Sequence, residues 1–247
     1  MTWRVQLSLV LVRIMKRTLQ CAFAVSAMLA SSSAWAQNFG EKGTIAISAE
    51  RLFGFTYDSA TATQNGQDTK ASVTHFSLLS SPVSIGGSGG NAGVWAGYST
   101  PRVAGDYFII DRLSLGAALG YAHWSATVQL PGPGGNETTS SGDSFTFAPR
   151  VGYFLSFTDK IGWWPRGGLT YRSYSAENAG GHDIAFTLES PFAFTLIPHV
   201  AFWAGPTLDL GFAGSQHVEA PNGTTTSIDF NALAIGLQTG LVVYFGT

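Results

Sequence analysis

Charge is scarce in this sequence: 11% of its 247 residues are Asp, Glu, Lys or Arg, where soluble domains carry about a quarter. That shortage excludes an ordinary solvated globule. Cysteine occurs once, at Cys21, which excludes an intrachain disulfide framework. Past the N-terminal region no run of about 18 apolar residues occurs, so no helix there is expected to cross a membrane. The five histidines, His75, His123, His182, His199 and His217, are dispersed without ligand spacing, and neither a metal nor a cofactor is expected. What the chain does have is 45% hydrophobic residues, 13% aromatics and 30 glycines.

The N-terminus reads as an export signal. Met15 is followed by Lys16 and Arg17, an apolar core over 21–30, and Ala34-Trp35-Ala36, a small-x-small cleavage site. Cleavage after Ala36 makes 1–36 a signal peptide and 37–247 a single domain. The start codon is open between Met1 and Met15. A lipoprotein anchor on Cys21 is disfavoured, because Thr18-Leu19-Gln20 lacks the small residues such a site needs. Four of the 13 basic residues leave with the signal and none of the 15 acids does, giving the mature domain a net charge of −6. That excludes nucleic acid, whose binding needs a basic surface.

From Gly43 onward the chain alternates with period 2 between turn clusters, which predicts strands over 43–57, 94–109, 113–130, 144–157, 161–176, 184–197, 200–217 and 227–245. The joints alternate between tight, as at Asp111-Arg112 and Pro198-His199, and long and polar, as over 131–143 and 219–227. Segment 71–81 is open between an extra strand and a loop. Eight strands with short turns at one end and long loops at the other predict an all-β, eight-stranded antiparallel up-and-down barrel. Face parity separates a membrane barrel from a soluble one. Phe145, Phe147, Val151, Tyr153 and Leu155 share one face of 144–157; Thr146, Ala148, Arg150 and Gly152 share the other. The strands over 161–176, 184–197 and 200–217 divide in the same way. A soluble barrel needs its bulk inside. Here the bulk belongs against lipid and the small and charged face inside, with closure pairing every backbone group.

By this parity the interior holds Glu50, Asp106, Glu189 and Asp209 against Arg102, Arg150, Arg166 and Arg172. Equal numbers of opposite charge predict an ion-paired plug. A narrow channel through the same charges is the alternative. Outward aromatics fall in two belts, Tyr107, Phe157, Trp163 and Phe245 near the short turns and Phe53, Tyr57, Tyr121, Phe145 and Tyr171 toward the long loops. Pro101, Pro149, Pro165, Pro191 and Pro206 fall within predicted strands, where proline breaks the ladder, so bulges are expected.

The end of the chain, Gln238-x-Gly240-x-x-Val243-x-Phe245, resembles the C-terminal signal of Gram-negative outer-membrane barrels, with two residues running past the closing aromatic. The whole mature chain looks like a small barrel of the OmpA/OmpX type without a periplasmic domain. That resemblance implies a bacterial outer-membrane location after Sec export, outer-membrane lipid and the barrel insertion machinery as partners, and a monomer. It implies a non-enzymatic, structural or surface-interacting role, with any exterior partner unspecified. A competing resemblance is to lipid A deacylase barrels, through His123, Ser125 and Glu137, with Ala126 where that family has Asn.

Overall fold

A computed structural model describes residues 39–64, 67–79, 83–86, 93–96, 98–129, 137–176, 179–219 and 223–246. The expected signal peptide lies outside them. The strands in chain order are β1 (Ile45–Gln64), β2 (Gln67–Leu78), β3 (Val83–Gly86), β4 (Gly93–Ala96), β5 (Arg102–Ile110), β6 (Leu113–Gln129) and β7 (Glu137–Tyr153). They continue as β8 (Leu155–Ser156), β9 (Ile161–Trp163), β10 (Arg166–Ala176), β11 (Ala179–Glu189), β12 (Phe192–Ile197), β13 (Val200–Glu219) and β14 (Thr225–Phe245).

Eight of these units form a closed antiparallel barrel. The order around the wall is β1, β5, β6, β7 with β8, β10 with β9, β11 with β12, β13 and β14. Closure is made by the first and last strands, which pair from Ile45↔Phe245 to Thr63↔Asp229. The alternation of bulky and small residues explains the sidedness. Phe147, Leu169 and Phe194 are exposed on the outer wall, whereas Arg150 and Glu189 are buried within. Outward Tyr107, Phe157, Tyr57, Tyr121, Phe145 and Tyr171 are likewise exposed. In an aqueous protein such a surface would aggregate; against acyl chains it is the solvated face. Leu188→Arg, on that face of β11, is therefore expected to cost about 2 kcal/mol, read as a lower urea midpoint for the unfolding of the micelle-refolded barrel.

Several predicted strands have different limits. The strand expected over 94–109 is interrupted: β4 and β5 are separate, and Tyr98, Ser99 and Thr100 between them are buried. Segment 71–81 lies largely in β2, an extra strand that pairs β1 from Phe53↔Leu78 to Gln64↔Gln67. Along that same edge β1 pairs β5 only over Ile45–Glu50. Toward the long loops β2 thus takes over from β5 as the neighbour of β1. The prolines mark local irregularity in three cases. Pro165 separates β9 from β10, Pro191 separates β11 from β12, and Pro149 falls where the β7–β10 register skips from Arg150↔Gly168 to Phe147↔Tyr171. Pro206 stays within β13, opposite Leu237, and Pro101 precedes β5.

Candidate functional site: a filled interior

The lumen is filled in three layers. Nearest the short turns is an aromatic floor of Phe39, Phe108, Phe154, Trp164, Trp203 and Tyr244. Phe39 belongs to the segment preceding β1 and enters the barrel mouth. Its ring meets Phe154 at 4.7 Å, Trp164 at 5.0 Å, Tyr244 at 5.0 Å and Phe108 at 5.5 Å between centroids. Gly40 makes this possible: its φ of +99° lies in the left-handed region, and a Cβ there would stand 2.4 Å from the Phe154 ring.

Above the floor lies the charged layer. Glu50 is its hub, accepting from Arg102 Nε at 2.9 Å, Arg166 Nη1 at 2.7 Å, and Arg150 Nη1 and Nη2 at 2.7 and 2.8 Å. Ser48 donates a further bond at 2.8 Å. Arg150 also binds Asp106, with Nε at 3.1 Å. Glu189 pairs with Arg102, and Arg166 Nη2 sits 2.9 Å from it but out of line for a hydrogen bond. The guanidinium of Arg166 is 4.6 Å from the Trp164 ring and 5.0 Å from the Trp203 ring, which ties this layer to the floor. Room for these long side chains comes from Ala104, Ala118 and Ala148, an inward row across β5, β6 and β7.

The structure places all eight of the expected interior residues inside and buried. Six of them, Glu50, Arg102, Asp106, Arg150, Arg166 and Glu189, are in direct contact. Asp209 joins through Arg51, which donates to it twice at 3.1 Å and to Glu189 at 3.3 Å. Arg172 does not join Glu50. It forms a forked pair with Asp183, Nε to Oδ1 at 2.8 Å and Nη2 to Oδ2 at 3.0 Å. Arg51 and Asp183 are thus members that parity did not supply. Arg51 turns inward at a bulge between Glu50 and Phe53, with φ of 55°; strict alternation would have put its charge in lipid, and that cost was the available signal. Asp183 continues the inward series Ala185, Thr187, Glu189 one residue before the predicted start of its strand.

The third layer is apolar with a polar fastening. Tyr98, Tyr174, Ala185, Phe230, Ala232 and Ala234 cluster in the lumen. Tyr98 lies 4.2 Å beneath the Arg172 guanidinium, donates from its hydroxyl to Asp183, and accepts from Arg51 at its carbonyl. Next to it Ser99 Oγ is 2.8 Å from His75 Nε2, and His75 Nδ1 is 3.2 Å from the buried Asp58 carboxylate. The segment Tyr98–Thr100 is therefore strapped across the lumen from β1, β2, β10 and β11.

The residues of the C-terminal motif divide by face. Gln238 points inward and donates to Thr56 Oγ1 at 2.7 Å, Val243 and Phe245 pair with Ile47 and Ile45 at the closing seam, and Gly240 faces the lumen. A Cβ on Gly240 would stand 2.5 Å from Trp203 Nε1 and 2.5 Å from Ala49 O. Gly240→Val is expected to destabilise the barrel by about 2 kcal/mol through overpacking at the seam, seen as a lower urea midpoint.

On the outer wall, His123 Nδ1 is 3.0 Å from Asp143. Glu137 stands opposite Gln129 instead, six residues further along β6 than His123, a separation of roughly 20 Å. The side chains of Ser125 and Glu137 lie outside the described residues. A His–Glu pairing as in the deacylase resemblance is thus replaced by His–Asp.

No family model matches the chain, and no curated protein does. Among solved structures it is similar to the outer membrane protein OprG from Pseudomonas aeruginosa, with 10% identity, a TM-score of 0.52, and coverage of 85% of this chain and 100% of that one. It is also similar to the outer membrane protein AlkL, at 12% identity and a TM-score of 0.48, covering 87% and 96%. Neisserial surface protein A follows at 12% identity and a TM-score of 0.34, covering 80% and 98%. At these identities the likeness is one of fold. That fold, with apolar residues outside and charge inside, defines an eight-stranded transmembrane barrel of the bacterial outer-membrane class.

Proposed function

We propose that this protein is a non-enzymatic, plugged outer-membrane barrel: a rigid anchor that presents its long loops at the cell exterior rather than a conduit. It works as a monomer, and its C-terminal strand, through Gln238, Gly240, Val243 and Phe245, serves as the signal for the insertion machinery. The observation that carries this reading is the continuity of the filling. An aromatic floor, a paired charge layer and an apolar layer follow one another along the lumen. A cavity beside Arg102, Arg150 and Arg166 has a volume of about 10 Å³, the least a single water needs. Arginine suits such a plug because its forked donors bridge several carboxylates at once.

Planar-bilayer recording of the refolded protein tests the reading. A plug predicts no sustained current above the bare membrane. Steady single-channel steps of nanosiemens size would overturn it in favour of a channel.

A further inference from the structure

On the outer wall, beyond the aromatic belt, cross-strand register assembles a polar groove that the filled interior does not use. Two neighbouring rungs cross from β6 to β13. One runs Tyr121↔Phe145↔Ser173↔His182, and the next, nearer the exterior, runs His123↔Asp143↔Ser175↔Gly180↔His217. The middle of both rungs is small, and Ser173, Ser175 and Gly181 form a floor. Aromatic rings and Asp143 wall it on one side, His182 and His217 on the other. The resulting groove has a volume of about 340 Å³. Asp143 is held in place by Tyr121, whose hydroxyl donates at 2.5 Å, and by His123 at 3.0 Å. The rungs on the short-turn side change character at once: Leu119↔Phe147↔Tyr171↔Ile184, then Leu169↔Phe186↔Leu210.

We propose that this groove seats the phosphorylated sugar headgroup of an outer-leaflet glycolipid. The order along the wall is amphipathic, with hydrogen-bonding groups outermost and an unbroken apolar strip directly below, so the occupant must carry a polar head above acyl chains. The head is a sugar rather than a simple phosphoester. Exposed Tyr121 and Tyr171 offer flat faces, and the fixed Asp143 carboxylate accepts from hydroxyls, which an acyl-glycerol phosphate with few hydroxyls would leave unused. His182 and His217 supply ring N–H donors for phosphate oxygens across the floor. A carboxylate facing outward on a membrane barrel is tolerable only at headgroup level, and its position exterior to Tyr121 and Phe145 places it there. Because the groove is continuous with the lipid-facing wall, a lipid reaches it by lateral diffusion.

The test is native mass spectrometry of the refolded barrel in detergent after incubation with a bisphosphorylated lipid A-type glycolipid or with phosphatidylethanolamine. The wild type is expected to keep the glycolipid and to prefer it over phosphatidylethanolamine. The triple variant D143N/H182A/H217A is expected to keep about tenfold less, while Phe55→Leu, on the far wall, keeps as much as wild type. A deacylated phosphosugar should compete only weakly, since it lacks the chains that lie on the apolar strip. Heat-dependent gel mobility confirms that each variant is folded. Equal glycolipid retention by wild type and folded triple variant, or no preference between the two lipids, would overturn the proposal, as would a protein dimer occupying the groove in place of lipid.

Discussion

Glu50→Gln is expected to lower the stability of the refolded barrel by about 3 kcal/mol or more, the scale of breaking a buried ion pair. Glu50 is fully buried and is shared by Arg102, Arg150 and Arg166. Glutamine preserves its size but removes the charge that three guanidinium groups face. Glu189 and Asp106 remain, so the layer keeps part of its pairing, but the arginines then repel one another across a narrow lumen. Unfolding in urea, followed by heat-dependent gel mobility, reads the loss. A second substitution, Arg102→Met, should restore part of it by removing one excess charge, and the double-mutant cycle isolates that coupling. Additive losses from the two substitutions would mean that Glu50 and Arg102 do not act together. A Glu50→Gln barrel as stable as wild type would mean that the charges are solvated rather than sealed.

The second large effect is expected at Phe39. Truncation to alanine removes a ring that touches four other aromatics, and should cost about 3 kcal/mol. The same variant separates the layers functionally. The floor opens, but the paired arginines above it still fill the barrel, so Phe39→Ala should lower the urea midpoint without producing a current. A conducting Phe39→Ala barrel would show that the aromatic floor alone closes the lumen.

The strands and their sidedness were legible because one physical demand dominates a membrane barrel. Every second residue faces lipid, so a period of two runs through nearly the whole chain and survives errors in strand limits. Glu50, Arg102, Asp106, Arg150, Arg166 and Glu189 could be placed inside from that period alone. What escaped it was irregular. Arg51 turns inward at a bulge marked by neither glycine nor proline. Tyr98 sits where a strand read as continuous breaks and dives into the lumen. Phe39 lies before the first strand and has no period to belong to. Pairing partners were equally hidden: parity says that Arg172 faces inward, but only the register of β10 against β11 sets it beside Asp183 instead of Glu50. The groove on the outer wall was invisible for the same reason, since Tyr121, Asp143, His182 and His217 are gathered from four strands by register.

Spin labels on neighbouring β10 positions would settle most directly which side of the wall each residue occupies. Cys21 is the sole cysteine and precedes the barrel, so single cysteines at Leu169, half exposed on the outer wall, and Thr170, buried inside, can be labelled cleanly in bilayers. With this sidedness the label at 169 is relaxed by oxygen dissolved in the acyl region, and the label at 170 is shielded from both oxygen and a water-soluble nickel chelate. A label at 170 relaxed by lipid-dissolved oxygen, with 169 shielded, would contradict it.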